Sequence, residues 1–368
     1  MAELFKNIYN EKFFDKFIKS VQEVISDFNE KLFLNDIFDN EWENRELKQR
    51  MRHITHTLKK HLSDDFDKNV KTIINLIPIL ENNGFKPDNL EFIFFPDFIE
   101  VYGIDDYETS VIAFETITEF VSCEFAVRPF IINNQETMLK QMFDWSNHKL
   151  PMVRRLASEG CRPRLPWAMA IPSLKENPEP IISILENLKN DVSESVRRSV
   201  ANNLNDISKD NPKIVIDLVK KWKGITKETD SLTKHACRTL LKQGNSEVMN
   251  LFGFAAIDKI KITNFKILTK TVTVGSSLEF SFNLLNTSEA TSKIRLEYGL
   301  YYQKANGSLS KKVFKISEKD YLKKSTTKIN RKQSFKIITT RKFHFGKHQV
   351  SIIVNGTGFE KIDFKLTE

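Results

Sequence analysis

The sequence predicts an α-helical solenoid of HEAT-like repeats followed by an all-β, immunoglobulin-like sandwich, and three observations carry that reading. Val153-Arg154-Arg155 recurs as Val196-Arg197-Arg198, 43 residues later. A period in the low forties is the length of a HEAT-type helical hairpin, so both pairs should lie on equivalent helices and face the same way. Residues up to about 255 place apolar side chains at helical spacing, whereas those after Phe254 alternate apolar with polar at strand spacing. The expected domains are therefore 1–255 and 256–368, and a chain of 368 residues is long enough for both cores.

The first helices are marked by aromatic and aliphatic residues at three- and four-residue intervals over 11–18 and 28–38. The many phenylalanines there read most simply as core. Breakers then punctuate the chain: Asn82-Asn83-Gly84, Pro96-Asp97, Gly103, Pro129, Pro151, Pro163, Pro166 and Pro172. Asn177-Pro178 and Asn211-Pro212 each look like an N-cap with proline at the first helical position. The repeat continues weakly in both directions, through an apolar helix at 110–120 and through Arg238, 40 residues past Arg198. Four turns of solenoid are expected between about 100 and 250, with outer copies lacking the basic pair, as terminal repeats do.

Strands are expected around Ile260-Lys261-Ile262, 278–284, 294–298, Phe335-Lys336-Ile337 and 350–354, with turns at Gly275-Ser276-Ser277, Asn306-Gly307 and Asn355-Gly356. About seven short strands in a hundred residues argue for an immunoglobulin-like sandwich, here without the Cys-Trp-Cys core of antibody domains.

Charge is distributed unevenly. The formal net charge is +8, with net −11 over 1–139, +6 over 140–256 and +13 over 257–368. A chain that becomes strongly basic in its second half is built to approach a polyanion. Its three cysteines are odd in number and lack Cys-x-x-Cys spacing, which argues against a disulfide framework or a zinc site. No secretory leader and no apolar run of membrane length is evident, so a cytoplasmic protein without membrane contact is expected.

The central segment concentrates the chemistry. Glu159 lies at a helix end that Gly160 is expected to terminate, where a carboxylate meets the negative pole of the helix dipole. Either it makes a surface bridge to Arg155 one turn earlier, or it is an acid held in a basic groove to stabilise positive charge. Asp206 falls one turn beyond the repeat equivalent of Glu159, so the two acids can approach one point from neighbouring repeats; the alternative is a local helix-ending residue. Trp167 follows the stiff corner Arg162-Pro163-Arg164-Leu165-Pro166 and either stacks on a base or plugs a gap between repeats. His53 and His56 have no third partner in sight, and no metal is expected there.

Several of these stretches resemble one family. The segments 46–53, Phe95-Pro96-Asp97-Phe98, 123–130, 153–167 and 199–210 look like the AlkC-type DNA alkylation repair glycosylases of the AlkC/AlkD HEAT-like-repeat superfamily, and the β-rich tail resembles the Ig-like domain of one AlkC branch. The resemblance covers about residues 1–250 and is poor over 1–45. It implies excision of cationic methylated bases from double-stranded DNA, 3-methyladenine above all, with 3-methylcytosine and 1-methyladenine as further candidates. It also implies that the acids of the active site are Glu124, Glu159 and Asp206, that Trp167 is the active-site tryptophan, and that a full base-flipping pocket is not required.

The chemistry fits. An N3-methylated purine is already cationic, so its glycosidic bond breaks without a general acid, and carboxylates can stabilise the oxocarbenium-like sugar and place a water. No lysine stands out as a Schiff-base nucleophile, so simple hydrolysis without strand cleavage is expected; a monomer without cofactor is expected as well. Arg155, Arg162, Arg164, Arg197 and Arg198 are the expected contacts to DNA phosphates, and the Lys-rich stretch 311–342 is the expected duplex contact of the sandwich. The rival class is a non-enzymatic repeat scaffold; a nuclease would need clustered metal ligands that the sequence does not assemble.

Overall fold

In the computed structural model, residues 4–337 and 342–368 are described. The chain divides into two compact units. One runs to Val215 and resumes over Trp222–Ala236; the other comprises Ile216–Lys221 and Cys237–Glu368.

The helical unit begins with an aromatic core. Asn10 accepts from the Phe13 N–H and Asn29 from that of Leu32, capping the helices Glu11–Gln22 and Glu30–Ile37. The resulting faces bury Phe14, Phe17 and Phe33 completely, with Phe92, Phe94 and Phe95 from further along the chain packed beside them. The helix Leu47–Lys60, opened by a capping box between Glu46 and Gln49, lies against Phe94–Tyr102.

Beyond residue 130 the helices stack in two layers. Gln135–Trp145 packs on Glu179–Leu188 in one layer, while Pro151–Gly160, Glu194–Ile207 and Lys227–Ala236 stack in the other. Pro151 and Glu194 open their helices 43 residues apart, as the repeat requires, and Val153 and Val196 are both fully buried. The next step is shorter. Lys227 follows Glu194 by 33 residues, and Arg238 opens a separate helix in the other unit, so it is not the repeat equivalent of Arg198. Pro212 does start a helix, whereas Pro178 is itself the N-cap of Glu179–Leu188, which carries Pro180 in its first turn.

The second unit holds eight strands among the described residues: β1 (Ile260–Ile267), β2 (Thr271–Thr273), β3 (Ser277–Asn286), β4 (Ser292–Gln303), β5 (Leu309–Tyr321), β6 (Ser325–Ser334), β7 (Gly346–Val354) and β8 (Thr357–Thr367). They form a three-stranded sheet β1-β3-β6 and a five-stranded sheet β2-β8-β7-β4-β5, antiparallel except for the β2–β8 pair. Phe280, Phe282, Leu296, Leu300, Val350 and Ile352 fill the space between them. Asn355 and Gly356 both take left-handed backbone at the β7–β8 turn, the geometry that makes Asn-Gly a hairpin signal. Phe335-Lys336-Ile337 is not a strand. It follows β6, and Phe335 plugs the core against Phe343 and Phe364. The Lys-rich stretch instead forms the edge strands β5 and β6, with Lys311, Lys312, Lys315, Lys319, Lys328 and Lys332 exposed; its residues 338–341 lie outside the described ones.

Gly160 does close its helix, but without the left-handed backbone of a glycine cap. It is there for space: an added Cβ would lie 2.6 Å from Val127 Cγ2 and 2.8 Å from Met142 Cε. Gly160→Ala should therefore destabilise the chain by about 1–3 kcal/mol, read as a lower urea midpoint, because overpacking outweighs the smaller gain from reduced chain entropy.

Candidate active site

Two stacked helices carry Glu159 and Asp206, and the turn before the helix Val127–Asn133 carries Glu124. On Pro151–Gly160, Arg154 turns to the next repeat and holds Asp191, its NH2 3.0 Å from Oδ1. Arg155 turns the other way, donating to Glu124 Oε2 at 2.8 Å and to Ser122 Oγ at 3.0 Å. One turn later Glu159 is buried, and its Oε2 accepts from Ser199 Oγ on Glu194–Ile207 at 2.5 Å.

Arg162 joins the repeats. Its NH1 donates to Glu159 Oε1, and its Nε and NH2 lie 2.8 and 2.7 Å from Asp206 Oδ2. Lys209 closes the series on Asp206 Oδ1 at 2.7 Å. Burial alone would lower the Arg162 pKa, but the charges of Glu159 and Asp206 outweigh it and the guanidinium is held above its usual value. The same balance applies to Arg155, burial being outweighed by Glu124 and Glu159. The result is an alternating line of three carboxylates and two guanidiniums that runs from one repeat to the next.

Glu124 and Glu159 face a cleft of about 340 Å³, together with Asp88, Phe125, Arg162 and Trp167. Trp167 is 62% exposed, with its ring edge-on to Phe5 at 6.3 Å, so it does not plug a gap between repeats. Glu159 likewise is not a surface partner of Arg155, whose NH2 stands 4.0 Å away; its close cation is Arg162. Asp206 is 1% exposed and sits behind Arg162 rather than on the cleft wall.

The arginines divide into two groups. Arg162 is buried and committed to two carboxylates, which removes it from the set of phosphate contacts, and Arg155 is largely buried against Glu124. Arg164, Arg197 and Arg198 stay at the surface. Arg164 pairs with Asp210 at 2.6 Å, Arg197 NH1 donates to the Val192 carbonyl at 3.0 Å, and Arg198 pairs with Glu194. His53 Nε2 sits 3.0 Å from the carbonyls of Asp36 and Ile37, and His56 Nδ1 2.8 Å from the Tyr102 hydroxyl.

Sequence reasoning passed over Arg128. This fully buried side chain donates to the carbonyls of Gly160, Arg162 and Met169 at 2.9, 2.8 and 2.6 Å, fastening both ends of the loop that bears Trp167. Burial lowers its pKa to about 10. The available signal was an arginine inside an otherwise apolar run, 125–130. Also passed over was a second cleft of about 580 Å³ that shares Ser122, Phe125 and Ile93 with the first and is walled by Lys48, Arg52, Asp97, Glu100 and Met169. There Arg52 Nε donates to Asp97 at 3.1 Å and its NH2 to Glu100 at 2.7 Å, joining two of the segments that carry the family resemblance. Among the described residues no group of three or more His, Cys, Asp or Glu could hold a metal ion, and no helix is long and apolar enough to cross a membrane.

Comparison with known proteins shows the family to which this fold belongs. A model described as "DNA alkylation repair enzyme" matches residues 105–249, and one described as "Uncharacterised protein YhaZ, C-terminal Ig-like domain" matches 261–368. The chain is 42% identical to the Bacillus subtilis (strain 168) protein YhaZ over 366 residues, covering 100% of each. The solved structure of Pseudomonas fluorescens alkylpurine DNA glycosylase AlkC, bound to DNA containing an abasic site analog, superposes with a TM-score of 0.92 at 32% identity, again over 100% of each chain. The chain belongs to the AlkC-type DNA alkylation repair enzyme family.

Because Arg162 is the shared cation of two buried acids, Arg162→Met should cost about 3–5 kcal/mol of stability, measured by chemical denaturation. Arg162→Lys, which keeps the charge but cannot bridge both carboxylates, should fall between the two.

Proposed function

We propose that this protein is a monofunctional DNA glycosylase that hydrolyses the N-glycosidic bond of cationic methylated bases, 3-methyladenine first, with 3-methylcytosine and 1-methyladenine as further substrates. The catalytic domain is 1–255, with 256–368 as its Ig-like domain. The observation that carries the reading is the placement of Glu124, Glu159 and Trp167 around one cleft, in a chain that matches AlkC over its whole length.

The geometry supplies what the reaction demands. As the C1′–N bond breaks, positive charge moves from base to sugar, and fixed carboxylates in a partly dry cleft stabilise it far better than water does. Glu124 and Glu159 face that charge, and one of them orients the water that adds to C1′ and takes the proton which that water gives up, returning it to solvent. The base leaves neutral and takes no proton from the enzyme. Trp167 offers a ring face to the cationic base or to a neighbouring one. Asp206 acts through Arg162. By holding Nε and NH2, it keeps that guanidinium from bearing wholly on Glu159 and cancelling its charge. Arg164, Arg197 and Arg198, which lie at the surface, are the proposed contacts to the phosphates of double-stranded DNA.

The test uses methylated duplex DNA and measures free 3-methyladenine. Glu159→Gln and Asp206→Asn should each bind DNA but release base about 100-fold more slowly or worse, the usual loss when one preorganised electrostatic group is removed. A wild-type protein that binds DNA and releases nothing refutes the reading in favour of a scaffold.

A further inference from the structure

We infer that Lys48 is a positioning residue for Trp167, a strut from the N-terminal helices that sets the height of the indole over the cleft. The inference rests on the glycosylase reading above and extends it to a residue outside the wall of the acid-lined cleft.

Trp167 takes a left-handed backbone, φ 67°, which non-glycine residues adopt at a cost and keep only where their surroundings enforce it. The loop around it is pinned on one side by Arg128, through the carbonyls of Gly160, Arg162 and Met169. Those bonds fix its ends. Within the loop, Ala168 N donates to Leu165 O at 3.3 Å and Ile171 N to Pro163 O at 3.2 Å, which tightens the turn without anchoring its tip. The tip is held from across the cleft, where Lys48 Nζ donates to the Trp167 carbonyl at 2.8 Å.

Lys48 is itself held in place. It projects from the helix Leu47–Lys60, in the turn that the Glu46–Gln49 capping box defines, and its ammonium lies 5.3 Å from the centroid of the Phe125 ring, which lines both clefts. Its charge also acts on Glu100. One cation thus ties the N-terminal helices to the indole-bearing loop, in a segment whose family likeness the catalytic acids leave unexplained. A backbone carbonyl held by a fixed ammonium leaves the side chain free to face solvent and a base, which a direct contact to the ring would not.

The chain provides its own reporter. Trp42, Trp145 and Trp222 are 4%, 1% and 1% exposed, against 62% for Trp167, so acrylamide quenching of tryptophan fluorescence reads Trp167. In the full-length protein, Lys48→Met, which keeps the stem and removes the donor, should alter that quenching and the emission anisotropy. It should also lower kcat for base release about tenfold with KM nearly unchanged, because the misplaced group acts in the transition state. Lys48→Arg, which keeps charge and donors, should recover most of both signals.

Unchanged quenching in Lys48→Met overturns the inference whatever the activity. So does a loss confined to KM that lessens with added salt, which would make Lys48 a simple attractor of DNA. The fluorescence arm needs no substrate, so it decides the strut separately from the glycosylase reading, which stands or falls on base release by the wild type.

Discussion

The structure turns on one guanidinium. Arg162 sits in the interior between Glu159 at the end of one helix and Asp206 near the end of the next, and both carboxylates are buried with it. Charges removed from water cost several kcal/mol each unless they are paired with good geometry. Here the pairing crosses from one repeat to the other, so the stacking of the two helices and the satisfaction of the acids are a single condition. Ser199 and Lys209 take up further acceptor positions on Glu159 and Asp206 and complete the network. A carboxylate at a helix C-terminus is misplaced with respect to the dipole, and Arg162, three residues further on, is the local reason it is tolerated.

The same network shapes the chemistry. A cleft with three free carboxylates would hold any cation, and one with each acid fully neutralised would hold none. The alternation Glu124, Arg155, Glu159, Arg162, Asp206 leaves Glu124 and Glu159 on the wall with Arg162 beside them, while Arg155 and Asp206 stand off it. The loop that carries Trp167 leaves this series just after Arg162, and Arg128 ties its backbone down from within the unit. Glu159, Arg162 and the indole are therefore set by one short stretch of chain, whose backbone Arg128 holds at both ends.

The sandwich follows a different logic. Its two sheets bury an apolar core, while Lys311, Lys312, Lys315, Lys319, Lys328 and Lys332 stand on β5 and β6, each an edge strand of its own sheet. Lysine on an edge strand discourages pairing with another chain, and a row of them also offers positive charge to a polyanion. These two effects use the same residues and do not compete.

Periodicity and turn chemistry determined much of this protein without any tertiary information. The 43-residue step placed Val153 and Val196 on equivalent buried positions, Asn355-Gly356 announced its hairpin, and alternation marked β1, β3, β4 and β7, because each is a local backbone or solvent preference. β5 and β6 were harder to see, since edge strands rich in lysine carry little apolar alternation, and Phe335 was read as strand when its burial comes from plugging the end of the core. What only the tertiary structure decided is where each charge points. Arg154 and Arg155 are adjacent in the chain yet serve different partners, Arg162 turned from a phosphate contact into a buried bridge, and Lys48 reached Trp167 across 119 residues of sequence. Spacing along one helix fixes a face, but the partner of a long charged side chain depends on which other helices pack against that face, and no local pattern encodes that.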